Sequence, residues 1–379
     1  MSRNLRRADR WTMGVLATAG VLLLGSTTLV LASSTPPPVP TKTIQATVGN
    51  TGAVPGLSIT FAGDTMLADA ALSRLESDGY DWPFAQLNSA LIGDIVIANA
   101  EAPLTNIKPQ ASKQFVYAAD PRAAAGLKRA GIDVLALANN HVMDAGAAGL
   151  QDTIRHAEEA GLATYGAGST RDEAAMPLLI DAGEDGKVAV LGFGENFGRT
   201  STATTTEPGM LPFTLERITR GLEMGKAAGA HTVIAYVHWG TNYGKVDESQ
   251  RYWAQQLVDA GYDLVVGAGS HALQPLEIID GVPVIYSLGN FVFTTPGRYA
   301  GKEVTGHGAV ATVTLGANGA GHLLLTCLEV DNLVVEFQPR PCPAETAATV
   351  LGGVHPGLEI RASSGTFTWQ RTGNDEAGD

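Results

Sequence analysis

Five short apolar runs in this sequence each stop at a side chain that can bind a metal ion or move a proton. Asp64 follows LSITFAG, Glu101 follows DIVIANA, and Asn140 and His141 follow DVLALAN. His238 follows TVIAYV, and His271 follows DLVVGAGS. Two carboxylates, an amide oxygen and imidazoles gathered at one place suit a borderline divalent cation such as Mn, Fe or Zn. Such a site activates water or polarises a phosphoryl or carbonyl oxygen. Each residue also has a plainer reading. Asp64 could cap a following helix, Glu101 could be a solvated loop carboxylate, His238 a hydrogen-bonded core histidine, and His271 a turn histidine. Asn139, Asn140 and His141 are harder to set aside, because three polar groups directly after a buried strand need partners. Of the remaining histidines, His156 sits in a helix, His231 precedes a strand, and His307, His322 and His355 sit beside glycine, leucine or proline without such a context.

The elements that must position these groups alternate. Apolar runs at 57–62, 94–98, 133–138, 187–192, 232–237, 263–267 and 283–288 read as strands. Helical periodicity separates many of them, with apolar residues such as Leu150, Ile154 and Ala157 at helical spacing. Asp144 is placed to cap that helix. Strand–helix alternation implies an α/β fold with mostly parallel, buried sheets. In such sheets ligands bind beyond the carboxyl ends of the strands, where all five chemical groups fall. Towards the C-terminus the runs 309–315, 322–330 and 333–338 are joined by short turns and read as an antiparallel meander.

The chain has 379 residues and a formal charge of −13. Arg3, Arg6, Arg7 and Arg10 outnumber Asp9 near the N-terminus, so the remainder is more acidic still. This argues against nucleic acid as a partner, since no basic surface displaces phosphate counterions. The arginines precede residues 11–32, which carry no charge. A signal-anchor over residues 1–32 is expected, giving a single-pass protein of the cell membrane with its domain outside. Residues 33–56, rich in Pro, Ser, Thr and Gly, read as an extended linker. The folded domain is expected over 57–342, with a partly disordered C-terminal extension over 343–379. The two cysteines, Cys327 and Cys342, either form a disulfide or are buried thiols.

The segments FAGDTM, NAEAPLT, ANNHVMDAGAAGL, VHWGTNY and VVGAGSHALQPLEIIDGVPVIYSLGNFVF occur in that order. Together they resemble the CapA (PgsA-type) family of capsule and poly-γ-glutamate synthesis proteins, from about residue 57 to 293. The resemblance implies a metallophosphoesterase-like (calcineurin-like) β-sandwich of mixed sheets flanked by helices. It implies that Asp64, Glu101, Asn140, His238 and His271 are metal ligands for one or two ions. His141, together with Asp64, would be catalytic, His141 as the proton donor to the leaving oxygen. It also implies work on an anionic polymer or phosphoester-type substrate, beside the membrane subunits of a polymer synthase. A non-catalytic scaffold subunit and a general extracytoplasmic phosphoesterase are the alternatives. Two positions depart from the pattern. Met66 stands where metallophosphoesterases carry a liganding histidine, and Gly269, Ser270 and His271 stand where the family reads His-Pro-His. The simplest picture that survives both is one ion on Asp64, Glu101 and His271.

Overall fold

Alternation along the strand Leu57–Met66 decides the layering of this protein. Leu57, Ile59 and Phe61 point to one side, into a core shared by two sheets, and Ala62 and Met66 to the other. The structure is a computed structural model describing residues 39–49, 56–87, 90–195, 201–316 and 320–370. In the larger sheet the strand order is Glu359–Arg361, Ser364–Gln370, Ala320–Glu329, His307–Leu315, Leu57–Met66, Ile95–Ala100, Val134–Ala136 and Ala163–Tyr165. Asn290–Phe293 also joins Leu57–Met66. The second sheet runs Lys42–Gln45, Leu178–Asp181, Lys187–Gly194, Thr232–His238, Leu264–Ala268, Val282–Ile285 and Leu276–Ile279.

The two sheets meet through Ile59, Phe61, Ile97, Ile180, Val190 and Ile234, among other buried apolar residues. Fully burying each such side chain stabilises the fold by about 1.5–3 kcal/mol. Tyr236 ties the sheets together by donating its hydroxyl to the Ala62 carbonyl oxygen. Each outer face is covered by helices. Leu75, Leu127 and Leu150 of the helices Leu72–Asp78, Arg122–Arg129 and Gly146–Glu159 cover the larger sheet. Ile218, Leu222 and Leu257 of Leu215–Ala227 and Glu248–Ala260 cover the smaller one. The architecture is therefore the expected α/β sandwich of mixed sheets flanked by helices, with antiparallel C-terminal strands.

Leu57–Met66, Ile95–Ala100 and Val134–Ala136 are parallel, as are Thr232–His238 and Leu264–Ala268. Strand ends within each set therefore open in a common direction.

Several boundaries differ from expectation. The linker expected over 33–56 contains the strand Lys42–Gln45, paired in parallel with Leu178–Asp181. Alternation continues past it, so Ile44, Ala46 and Val48 pack on the inter-sheet core. Residues 333–338 do not form a strand. Asp331 accepts the Leu333 amide at 3.0 Å and starts the short helix Asn332–Val335 instead. The third antiparallel strand is Ser364–Gln370, paired with Ala320–Glu329. The expected C-terminal extension is thus folded through residue 370, and Ala347, Leu351 and Val354 of the helix Ala344–Val354 are buried in the core. Cys327 and Cys342 form a disulfide. The expected anchor over 1–32 lies outside the described residues, as do residues 371–379. Among the described residues no helix is long and apolar enough to cross a membrane.

Candidate metal centre

The strand Leu57–Met66 shifts register between Ala62 and Asp64, and this bulge aims the Asp64 carboxylate into the crevice. Gly63 permits it, because a Cβ there would lie 1.9 Å from the Gly289 carbonyl oxygen. Asp64 is completely buried and heavily bonded. Its Oδ1 accepts from Asn99 Nδ2 at 2.8 Å, and both oxygens accept from the Gly269 amide at 3.0 Å. His271 Nδ1 lies 3.2 Å from Oδ2, and His238 Nδ1 3.7 Å from Oδ1.

Glu101, one residue past the end of Ile95–Ala100, is equally buried and quite different. Neither of its oxygens accepts a hydrogen bond. The imidazoles facing it are His271, with Nε2 at 3.5 Å, and His141, with Nε2 at 3.7 Å, both measured to Oε1. Donor atoms of Asp64, Glu101 and His271 lie within 4.8 Å of one another, so these three could share one ion. A buried carboxylate with both oxygens unpartnered is what such an ion would satisfy, and the oxygen–oxygen–nitrogen set fits a borderline cation.

His238 lies outside this group of three, and Asn140 is hydrogen-bonded to it. His238 Nε2 lies 3.1 Å from Asn140 Oδ1, and Nδ1 lies 3.0 Å from Asn99 Nδ2. Since Asn99 Nδ2 is a donor, Nδ1 accepts and Nε2 carries the proton. Asn139 works on the backbone. Its Nδ2 donates to Asn99 Oδ1 at 3.0 Å and the Ala100 carbonyl at 2.8 Å, and its Oδ1 accepts the His141 amide at 3.1 Å. That bracket holds the turn from which Asn140 and His141 project.

His141 is oriented by Asp144, whose Oδ2 is 2.7 Å from Nδ1, leaving Nε2 toward Glu101. Asp144 also accepts the Tyr117 amide at 2.8 Å and pairs with Lys113 Nζ at 2.6 Å. The expected helix cap is therefore corrected. Ala145 occupies the N-cap of Gly146–Glu159 with no side-chain bond, and the three-residue spacing instead turns Asp144 back onto His141. Four participants escaped sequence reasoning: Asn99, Lys113, Asp144 as a partner, and Asn290, whose Oδ1 accepts from His271 Nδ1 at 2.9 Å. The signal for Asn99 and Asn290 was an amide beside a strand end, in Asn99-Ala100 and Gly289-Asn290, which says nothing about side-chain direction; Lys113 had none.

Burial raises the Glu101 carboxyl well above the usual carboxylate range, against the charge of His271. Burial also opposes ionisation of Asp64, but the hydrogen bond and charge of His271, with the charge of His238, hold its carboxyl low. Burial lowers His238 to about 3. For His271 burial acts in the same direction, yet the neighbouring Glu101 and Asp64 carboxylates raise it to about 9. His141 is lowered by burial, partly offset by Asp144.

Both departures from the expected pattern are built in. Met66 is buried, with its sulfur 3.6 Å from Thr294 Oγ1. Gly269 has φ +99°, and a Cβ there would lie 2.8 Å from the Trp239 amide nitrogen. A histidine does not fit this backbone.

Residues 58–295 match the family described as bacterial capsule synthesis protein PGA_cap. The chain belongs to this family. Among its relatives, the PGA biosynthesis protein CapA of Bacillus subtilis (strain 168) is 31% identical over 75% of this chain and 73% of its own. The capsule biosynthesis protein CapA of Bacillus anthracis is 32% identical over 75% of this chain and 69% of its own. Among solved structures, the NAD nucleotidase of Haemophilus influenzae aligns over 78% of this chain and 55% of its own. Its TM-score is 0.38 and its sequence identity 13%. The family match spans all the strand ends that build the site.

Proposed function

We propose that this family member acts in synthesis, export or attachment of a poly-γ-glutamate-type capsular polymer, through a metal-assisted hydrolase or transferase site. The observation that carries the reading is the Glu101 carboxylate, wholly buried and without a hydrogen bond, beside Asp64 and His271. Asp64, Glu101 and His271 hold the ion, and Asn140 and His238 border it. A bound divalent cation supplies Lewis-acid polarisation of the substrate and a more acidic water. His141 is the proton-moving group. Asp144 fixes its Nδ1, so Nε2 is the atom that faces the reacting centre. The relatives' names support a polymer substrate, and the uncharged segment at 11–32 supports a membrane-anchored, extracytoplasmic placement next to synthase subunits.

The test measures metal content of the full-length chain, then hydrolysis of γ-glutamyl and phosphoester bonds by wild type, Asp64→Asn and His141→Ala. Stoichiometric Mn, Fe or Zn in the wild type, lost in Asp64→Asn, with activity lost in both variants, is expected. Metal-free protein and three equally inert chains would sink it. A second reading, a non-catalytic scaffold subunit, is favoured by Gly269, whose backbone excludes the second liganding histidine. Metal binding without turnover would select it.

A further inference from the structure

A cavity of about 370 Å³ opens beside His271, and its walls are chemically unlike the acidic protein around it. Its inner wall is aromatic. Phe293 packs 4.7 Å from the His271 ring, Tyr243 5.3 Å from the same ring, and Tyr117 4.6 Å from the His141 ring. The outer wall carries Arg298 and Lys302. The Arg298 guanidinium lies 4.3 Å over the exposed Phe115 ring, which holds the planar group while leaving its N–H edge for an anion. Among the described residues neither Arg298 nor Lys302 forms an ion pair. Glu303, next to Lys302, is taken by Lys245 at 2.7 Å, and Asp69 accepts from Thr295 at 3.1 Å.

We infer that Arg298 and Lys302 are the specificity-determining residues of this site, and that they read carboxylates along an extended polyanionic chain. The inference rests on the reading of the site as one acting on a capsular polymer. A chain of formal charge −13 repels an acidic polymer except where the local field is reversed, and this wall does that. The aromatic floor suits the methylene and amide portions between successive carboxylates, which a polyphosphate lacks. The Tyr243 backbone supports this arrangement. It adopts φ +54° and donates its amide to the Ser270 carbonyl at 2.6 Å, which fixes its ring against His271.

The experiment is calorimetric titration of the full-length chain with a γ-linked glutamate oligomer and with polyphosphate of matched charge. It compares wild type, Arg298→Ala, Lys302→Ala, the double variant and Arg298→Lys. Arg129→Ala, which removes one positive charge outside the cavity as each single variant does within it, is the control. The double variant is expected to bind the glutamate oligomer about tenfold more weakly or worse. Arg298→Lys should recover only part of the Arg298→Ala loss, because an ammonium cannot make the forked contact. Arg129→Ala should bind as wild type does. Unchanged affinity in the double variant, no binding by wild type, or tighter binding of polyphosphate overturns the inference. Metal content is read on the same samples. Intact metal and turnover with an indifferent double variant removes the wall and leaves the proposed function. Weakened polymer binding in a metal-free chain does the reverse.

Discussion

Glu101 is the residue on which the site turns, because its burial makes sense only with something opposite it. A buried carboxylate left without hydrogen bonds costs about 1–3 kcal/mol or more. Glu101→Gln keeps the shape and removes the charge. In chelator, the Gln variant should melt about 1 °C or more above wild type, since each kcal/mol moves a domain of this size by roughly 1–2 °C. With excess Mn or Zn the order should reverse, because wild type alone gains binding energy. A variant that melts below wild type in both conditions would show that Glu101 is stabilised by the protein itself. Asp144 offers a separate check. Asp144→Asn leaves His141 without its anionic partner and should lower kcat by about 10²-fold while metal content stays at the wild-type level. Unaltered kcat would remove His141 from the proton-moving role. The residues proposed as ligands were legible in the sequence because each follows an apolar run. Their partners were not. Lys113 comes from an irregular loop, and Asn99 sits inside a strand, where only the final geometry reveals which way an amide points.

At the scale of elements, the turn after Leu264–Ala268 does two jobs with one backbone. Gly269 at φ +99° donates its amide to both Asp64 oxygens, and His271 at φ +57° swings its ring between Asp64 and Glu101. Non-glycine residues with such backbone angles cost of order 1–3 kcal/mol and persist where surrounding structure enforces them. Restoring the family's histidine should therefore fail. Gly269→His is expected to lose about 2 kcal/mol or more of stability, through the clash with Trp239, and to bind no additional metal. Denaturant melts and metal analysis check this, and a variant holding two ions at wild-type stability would overturn it. The sequence showed that position 269 departs from the family, but not that the backbone had closed around the change. The segment 333–338 illustrates the opposite limit. Its Leu–Val–Val run has strand propensity, yet the Asp331 cap wins locally and the run becomes a helical turn.

At the scale of the molecule, apolar runs reported the central strands well because each buries both faces, whereas the edges carry weaker patterns. Lys42–Gln45 is such an edge. Its outward residues are polar, it follows a proline-rich stretch, and only Ile44, Ala46 and Val48 mark an inner face. Composition there points to a tether, but the backbone is committed: Lys42 N donates to Pro177 O at 3.0 Å and Ala46 N to Asp181 O at 2.9 Å. A chain beginning at Leu57 would lose those bonds, re-expose three apolar side chains and leave Leu178–Asp181 as a bare edge. Relative to a chain beginning at Val39, we expect a loss of about 2–4 kcal/mol, seen as a melting point lower by roughly 3–6 °C. Metal content should be equal in the two, because Leu178–Asp181 and Lys187–Gly194 separate this edge from the strand that carries His238. Equal melting would return Lys42–Gln45 to the linker, and metal lost along with stability would mean that the site depends on the whole sheet rather than on its central strands.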